Sequence, residues 1–314
     1  CFGVGSTLHS ASLHPSLERI EIADLSRNVL EHNEYFAHSN QGVLKDPRVS
    51  VFVNDGRQHL RMQPEGRYDL VTLEPPPIRN AGVSALYSAD FYALARSRLK
   101  EGGAMAQWLP AYQVPEDVVR SLVRAFVDVF PNSVLLSGER KELILLGWKG
   151  DTQRFELARV QAALAANPAL QADLDRIHMG TPTEIVGTYL ASADQMREAT
   201  ATSRPVTDDW PIMEYSAHAR AQTTRFPPDL VAPWTVGDWC VDCFVDGQPV
   251  PAVATLGDYL RVLYAYYSSD AFLMTRSYLA KEAGFYLPAD VDLDRLAAEG
   301  SFLETYLGVP PPRP

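Results

Sequence analysis

The sequence predicts an α/β fold, a mostly parallel sheet flanked by helices, and three observations carry that expectation. Short β-branched runs alternate with helical patterns through residues 1–150, as βαβ units do. The turn Gly3-Val4-Gly5-Ser6-Thr7 sits just before the first helical stretch. Acidic residues close three successive strand-like runs, at Asp24, Asp55 and Glu74.

In chain order, a helical stretch near Thr7–Leu13 leads to a strand at Ile20–Asp24. A helix follows near Ser26–His32, then strands at Val49–Asn54 and Asp69–Glu74. Tyr92, Leu94, Ala95 and Leu99 share a stripe in a helix near Ser88–Leu99. Leu122, Val123, Phe126 and Val129 mark another in Pro115–Val129. Further strands are expected at Ala104–Leu109, Ser133–Ser137 and Leu143–Trp148. The last two are joined by Gly138–Glu142, too short for a crossover helix, so they should pair antiparallel. This is the order of a class I methyltransferase-like (Rossmann-like) sheet whose first strand, expected before Gly3, is missing from the chain. That strand would be central, so an upstream segment, a separate chain or a strand from the last hundred residues is expected in its place.

Residues 1–150 thus read as a nucleotide-binding domain. From Asp151 to about Ala199 the pattern turns helical, Pro182–Ala193 included, and 151–226 reads as an extension of the domain. Pro227, Pro228 and Pro233 mark a boundary. Beyond it, 227–314 reads as a helical, tyrosine-rich appendage, with helices at Leu256–Tyr267 and Ala271–Ala283 and an extended tail at Pro310–Pro314.

At 314 residues, 46% hydrophobic and 21% charged, the chain can bury a full core. A net charge of −11 disfavours nucleic acid and anionic membrane surfaces as partners. It suits a cationic small ligand, although acidity also serves solubility. No apolar run approaches the ~20 residues of a membrane span, and no signal-peptide pattern opens the chain. A cytoplasmic location is expected, with membrane association only through a missing N-terminal part. The chain opens without methionine, inside the glycine turn, as a fragment or a processed product would. Cys1, Cys240 and Cys243 are too few for a disulfide framework, and Cys240-x-x-Cys243 reads as a local disulfide or two free thiols. His9, His14, His32 and His38 lack the spacing of a ligand set, so no metal is expected.

Gly3 and Gly5 let the backbone approach a ligand at a helix N-terminus. Asp24, about 20 residues on, stands where a carboxylate accepts ribose hydroxyls; capping of the following helix is the competing role, which Ser26 also fits. Asp55, with Gly56 beside it, stands where an adenine amino group is met. Glu74 opens onto Pro75-Pro76-Pro77. Arg57 reads as solvated or ion-paired.

The stretch 68–107, with Glu74, Leu86-Tyr87, Phe91-Tyr92 and Gln107, resembles the spermidine synthase (polyamine aminopropyltransferase) family. Glu-Pro-Pro-Pro at 74–77, Asn80-Ala81-Gly82, and Thr207-Asp208-Asp209-Trp210-Pro211 with Glu214-Tyr215 resemble a divergent branch often fused to membrane segments. The resemblance covers about residues 1–216. It implies an adenosyl donor, S-adenosylmethionine or its decarboxylated form, held by Gly3, Gly5, Asp24, Asp55 and Gly56. It also implies an amine acceptor activated by Glu74 in a pocket with Tyr87, Gln107, Asp208 and Asp209, though the Asp pair also suits a turn-capping role. The family's glycine loop carries an Asp where this chain has Val4, and its second gate-loop Asp is here Pro77. Two further readings therefore stay open: a small-molecule methyltransferase, and a catalytically degenerate domain in a larger assembly. A homo-oligomer or such an assembly is expected.

Overall fold

The computed structural model describes residues 1–76, 80–138, 142–151, 153–177, 179–216 and 226–250, with Leu256, Gly257, Leu260, Leu263 and Tyr267 beyond them. Helix α1 (Ser6–Ser12) starts at Gly5, which takes a left-handed φ of 87°. A Cβ there would stand 2.6 Å from the Phe2 ring and 2.7 Å from Asn40 Cβ, so both conformation and space require glycine. Strand β1 (Ile20–Asp24) leads to α2 (Arg27–Glu31), capped by the Ser26 hydroxyl, which accepts from the Val29 N–H. Then come α3 (Ala37–Asn40), β2 (Val49–Val53), α4 (Gly56–Arg61) and β3 (Tyr68–Leu73). Helix α5 (Ala89–Arg98), β4 (Leu99–Leu109), α6 (Glu116–Val129), β5 (Ser133–Ser137) and β6 (Leu143–Trp148) complete the first half. The second half holds α7 (Leu157–Ala166), α8 (Pro168–Asp175), α9 (Pro182–Gly187), β7 (Tyr189–Ser192), α10 (Ala193–Ala199) and α11 (Ile212–Ser216). The expected strands at 20–24, 133–137 and 143–148 are met residue for residue.

This is an α/β Rossmann-like fold in which β1 pairs parallel with β2, and β3 with β4. Strand β6 runs antiparallel between β4 and β5, as the short Gly138–Glu142 connection requires. Two sequence expectations need correcting. Helix α4 lies where no helix was expected, started by Asp55, whose carboxylate accepts the Gln58 N–H at 2.8 Å. Pro182–Ala193 is not one helix: α9 ends at Gly187, and Tyr189–Ser192 becomes β7 on the open edge of β5. Tyr189, Leu190 and Ala191 are fully buried there, and a short apolar run carries no periodicity to separate strand from helix.

Among the described residues, no strand lies between β1 and β3; β1 pairs with β2 alone and β3 with β4 alone. No strand from the last hundred residues takes the central position among the described residues. Side chains join the two strands instead. The Glu21 carboxylate of β1 accepts hydrogen bonds from Tyr68 Oη at 2.6 Å and from Arg67, and the His59 ring nitrogen lies 3.1 Å away.

The main core lies between β3–β6 and helices α5 and α6. Tyr92 meets Phe126 edge-on at 5.0 Å, and Phe126 stacks on Phe130 at 5.0 Å. Val118, Val119, Leu122, Val123 and Phe126 share the buried face of α6, the i, i+4 stripe that the sequence displays. Past Pro227, two short 3-10 turns and a two-residue hairpin precede 256–267, where Leu256, Leu260, Leu263 and Tyr267 are helical and buried. Phe226, Leu263 and Tyr267 join the same core as α6. The expected helix at Ala271–Ala283 and the tail at Pro310–Pro314 lie outside the described residues.

Candidate active site

Parallel strands deliver their C-terminal ends to one edge of a sheet, and that edge collects the predicted carboxylates. Asp24, the last residue of β1, is buried; its oxygens accept the Phe2 N–H at 2.7 Å and the Ser26 N–H at 2.8 Å. Because Ser26 caps α2, Asp24 is not its N-cap; it ties the glycine turn to β1. Each carboxylate oxygen keeps a further lone pair. Asp55 follows β2, and the Asn54 N–H donates to the Asp24 carbonyl at 3.0 Å, so the ends of β1 and β2 adjoin. Glu74 follows β3 and is exposed. Asp24 and Glu74 both lie within electrostatic reach of the Cys1 backbone nitrogen, so the ends of β1 and β3 face one region. Gly3 (φ 58°) and Gly56 have open space where a Cβ would stand.

Beyond Glu74 lie Tyr87 and Gln107, both fully buried. The register Leu73↔Gln107 sets Gln107 beside the tip of β3. Burial holds the Tyr87 phenol well above its ordinary pKa, with Tyr92 and Glu74 adding to the effect and the Gln107 amide opposing it. Neither Tyr87 Oη nor Gln107 Oε1 has a well-formed hydrogen-bond partner, an arrangement that native interiors avoid unless a ligand or water completes it.

Asp208 is engaged elsewhere. It takes a two-pronged ion pair from Arg57, at 2.8 and 2.5 Å, and a hydrogen bond from the Ser88 hydroxyl at 2.7 Å. That pairing holds its carboxyl below the usual range. Arg57 also reaches the Ala85 carbonyl, and Glu214 accepts the Gly82 N–H at 2.9 Å. These contacts tie residues 207–214 to α4 and to the segment 82–88. They frame a cavity of about 380 Å³ that includes Arg61 and Thr207. These contacts suit the turn-holding role of Asp208 that competes with an acceptor role. Asp209 is exposed.

Trp108, Tyr112 and Glu142, the last two not singled out as site residues from the sequence, stand at the same edge. The Trp108 indole N–H donates to Glu142 Oε2 at 2.5 Å, and its ring meets Tyr112 edge-on at 6.4 Å. Burial raises the Tyr112 phenol pKa; Gln113 opposes the shift, and Glu142 and then Glu74 add to it. A signal for Glu142 existed: an antiparallel strand brings its N-terminal end to the edge where parallel strands end.

On the opposite side of the sheet, Cys240 and Cys243 form the local disulfide, one of the two expected alternatives. Between them, Asp242 accepts the N–H groups of Leu157 and Ala158 at the start of α7.

Residues 3–137 match the family profile described as the spermine/spermidine synthase domain. Polyamine aminopropyltransferase 2 of Pseudomonas aeruginosa is 36% identical over 106 residues, which are 33% of this chain and 30% of that protein. Polyamine aminopropyltransferase of Bacillus subtilis is 31% identical over 130 residues, 41% of this chain and 46% of that protein. The chain thus spans less than half the length of these curated relatives. A crystal structure of spermidine synthase from Thermotoga maritima, 20% identical, aligns over 47% of this chain and 51% of that one with a TM-score of 0.40. Over residues 3–137 the chain is thus similar to the spermine/spermidine synthase domain.

Proposed function

We propose that the chain is an aminopropyltransferase that uses decarboxylated S-adenosylmethionine as donor and a small polyamine-type amine as acceptor. The observation that carries the reading is the position of exposed Glu74 at the tip of β3, beside buried Tyr87 and Gln107 and across from Asp24. The residues fit an adenosyl donor: space above Gly3 and Gly56 admits a close ligand, and the Asp24 and Asp55 carboxylates retain acceptor capacity for ribose and adenine. The donor, when bound, supplies a sulfonium whose adjacent methylene is open to attack by an amine nitrogen.

Glu74 attracts the ammonium form of the acceptor, accepts its proton on a carboxylate oxygen and leaves the nitrogen lone pair free. Tyr87, protonated and fixed by burial, orients the amine by hydrogen bonding. Buried Gln107 and Leu109 back this wall and keep bulk water off it. The relatives named polyamine aminopropyltransferase support the substrate class.

Incubation with decarboxylated S-adenosylmethionine and putrescine should yield methylthioadenosine and a lengthened polyamine, detected by mass spectrometry. Glu74→Gln should lower turnover by ~10²-fold or more while adenosyl binding persists. Release of S-adenosylhomocysteine from S-adenosylmethionine, with no aminopropyl transfer, would establish a methyltransferase instead.

A further inference from the structure

We infer that Asn40 is a positioning residue for the adenosyl donor: without touching the ligand, its carboxamide fixes the turn Gly3-Val4-Gly5 and so sets the affinity of the site. The inference rests on the adenosyl site proposed above and names the residue that shapes its glycine turn.

Asn40 closes α3 and is fully buried. A buried carboxamide has donors and an acceptor to satisfy, and here they all find backbone partners. Nδ2 donates to the Val4 carbonyl at 3.1 Å and to the Asn33 carbonyl at 2.9 Å, and Oδ1 accepts the Gly42 N–H at 2.9 Å. The next two residues, Gln41 and Gly42, take left-handed φ values of 50° and 69°, so the chain bends back around the carboxamide. A side chain that merely filled this space could be leucine; the amide instead joins three backbone segments.

The bond to Val4 gives this residue its role. Val4 is exposed, yet its carbonyl is directed to buried Asn40 and not to water. The Gly5 N–H donates back to the Phe2 carbonyl at 2.9 Å, and the Phe2 N–H donates to Asp24 at 2.7 Å. With those groups committed inward, the N–H groups of Gly3 and Val4 donate to no other group among the described residues, and both residues are exposed. The space above Gly3 is open as well, so this is the face a ligand meets. Behind it the packing leaves no slack, because a Cβ on Gly5 would stand 2.7 Å from Asn40 Cβ. Asp24 thus holds one side of the turn and Asn40 the other. If the turn shifts, the groups set around the ribose lose their alignment.

Asn40→Asp keeps the size and the acceptor for the Gly42 N–H but, ionised, cannot donate to Val4; Asn40→Ala removes all three bonds. Val43→Ala, which opens a cavity in the apolar cluster that includes Phe2 and Leu8, controls for lost stability. Calorimetry with methylthioadenosine, well below each melting temperature, should show both Asn40 variants binding ~10-fold more weakly or worse, as a lost buried hydrogen bond implies. Val43→Ala should stay within about threefold of wild type even where its melting temperature falls as far. Hydrogen exchange read by mass spectrometry should speed up over residues 2–8 in the Asn40 variants more than in Val43→Ala. In the wild-type chain, methylthioadenosine should slow exchange over 37–42 as well as over 2–8, which tests the coupling even if neither Asn40 variant folds. Unchanged affinity in the Asn40 variants, equal weakening in Val43→Ala, or no protection of 37–42 by the ligand would overturn the role of Asn40 and leave the adenosyl site standing. A wild-type chain that binds no methylthioadenosine would instead overturn the proposed function on which this role rests.

Discussion

Replacing Glu21 should measurably weaken the join between β1 and β3. Its side chain is only 8% exposed, and it accepts from Tyr68 and Arg67 with His59 at 3.1 Å. Burial pushes the Glu21 carboxyl up, but hydrogen bonds from Tyr68, Arg67 and His59 outweigh it and hold the group below its ordinary value of 4.5. Breaking a fully buried charge pair by removing one partner costs about 3–5 kcal/mol. Arg67 is 28% exposed and regains some water, so Glu21→Ala should lose ~2–4 kcal/mol. For a chain of this size that is a fall in melting temperature of roughly 3–6 °C. Glu21→Gln, which keeps an acceptor for Tyr68, should fall between wild type and alanine. Because the folded chain ionises this carboxyl more readily than the unfolded one, the wild-type advantage over Gln is full above about pH 4.5. It fades as the pH drops through the lower, folded value. Urea unfolding followed by circular dichroism across that range would measure both effects. A Gln variant within ~0.5 kcal/mol of wild type at neutral pH, or an advantage that grows on acidification, would refute the bridging role.

Asp24→Ala should weaken methylthioadenosine binding by about 1.5–3 kcal/mol in calorimetry, since two charge-assisted hydrogen bonds to ribose are lost; unchanged affinity would remove Asp24 from the site. Asp208→Asn should cost only ~1 kcal/mol in chemical unfolding, because the Asp208 side chain is 42% exposed and its pairing with Arg57 is screened. Limited proteolysis of that variant should nonetheless cut faster between residues 80 and 88, which the Arg57–Asp208–Ser88 contacts hold. Reduction of Cys240–Cys243 should lower stability by no more than about 2 kcal/mol, since so short a loop restrains the unfolded chain little. Melting scans with and without a reductant would show it.

Local chemistry made much of this architecture legible in the sequence. The runs at 20–24, 133–137 and 143–148 alternate or bury completely enough to define strands, and Ser26 caps α2 where a hydroxyl before a helical pattern should. The short Gly138–Glu142 connection alone dictated an antiparallel β5–β6 pair. Asp24, Asp55 and Glu74 were readable as a set because a parallel sheet sends the ends of its strands to one edge. What only the tertiary structure decided depends on partners far away in the chain. Tyr189–Ser192 is a strand because β5 offers an open edge; its own pattern suits helix and strand equally. Arg57 and Asp208 are 151 residues apart, and no spacing rule foretells which acid an arginine will take. Glu142 looked like a hairpin residue until β6 set it beside Trp108 and Tyr112. Propensity and periodicity act over a few residues, whereas a site is assembled by burial and charge pairing among segments that meet only after the sheet has formed.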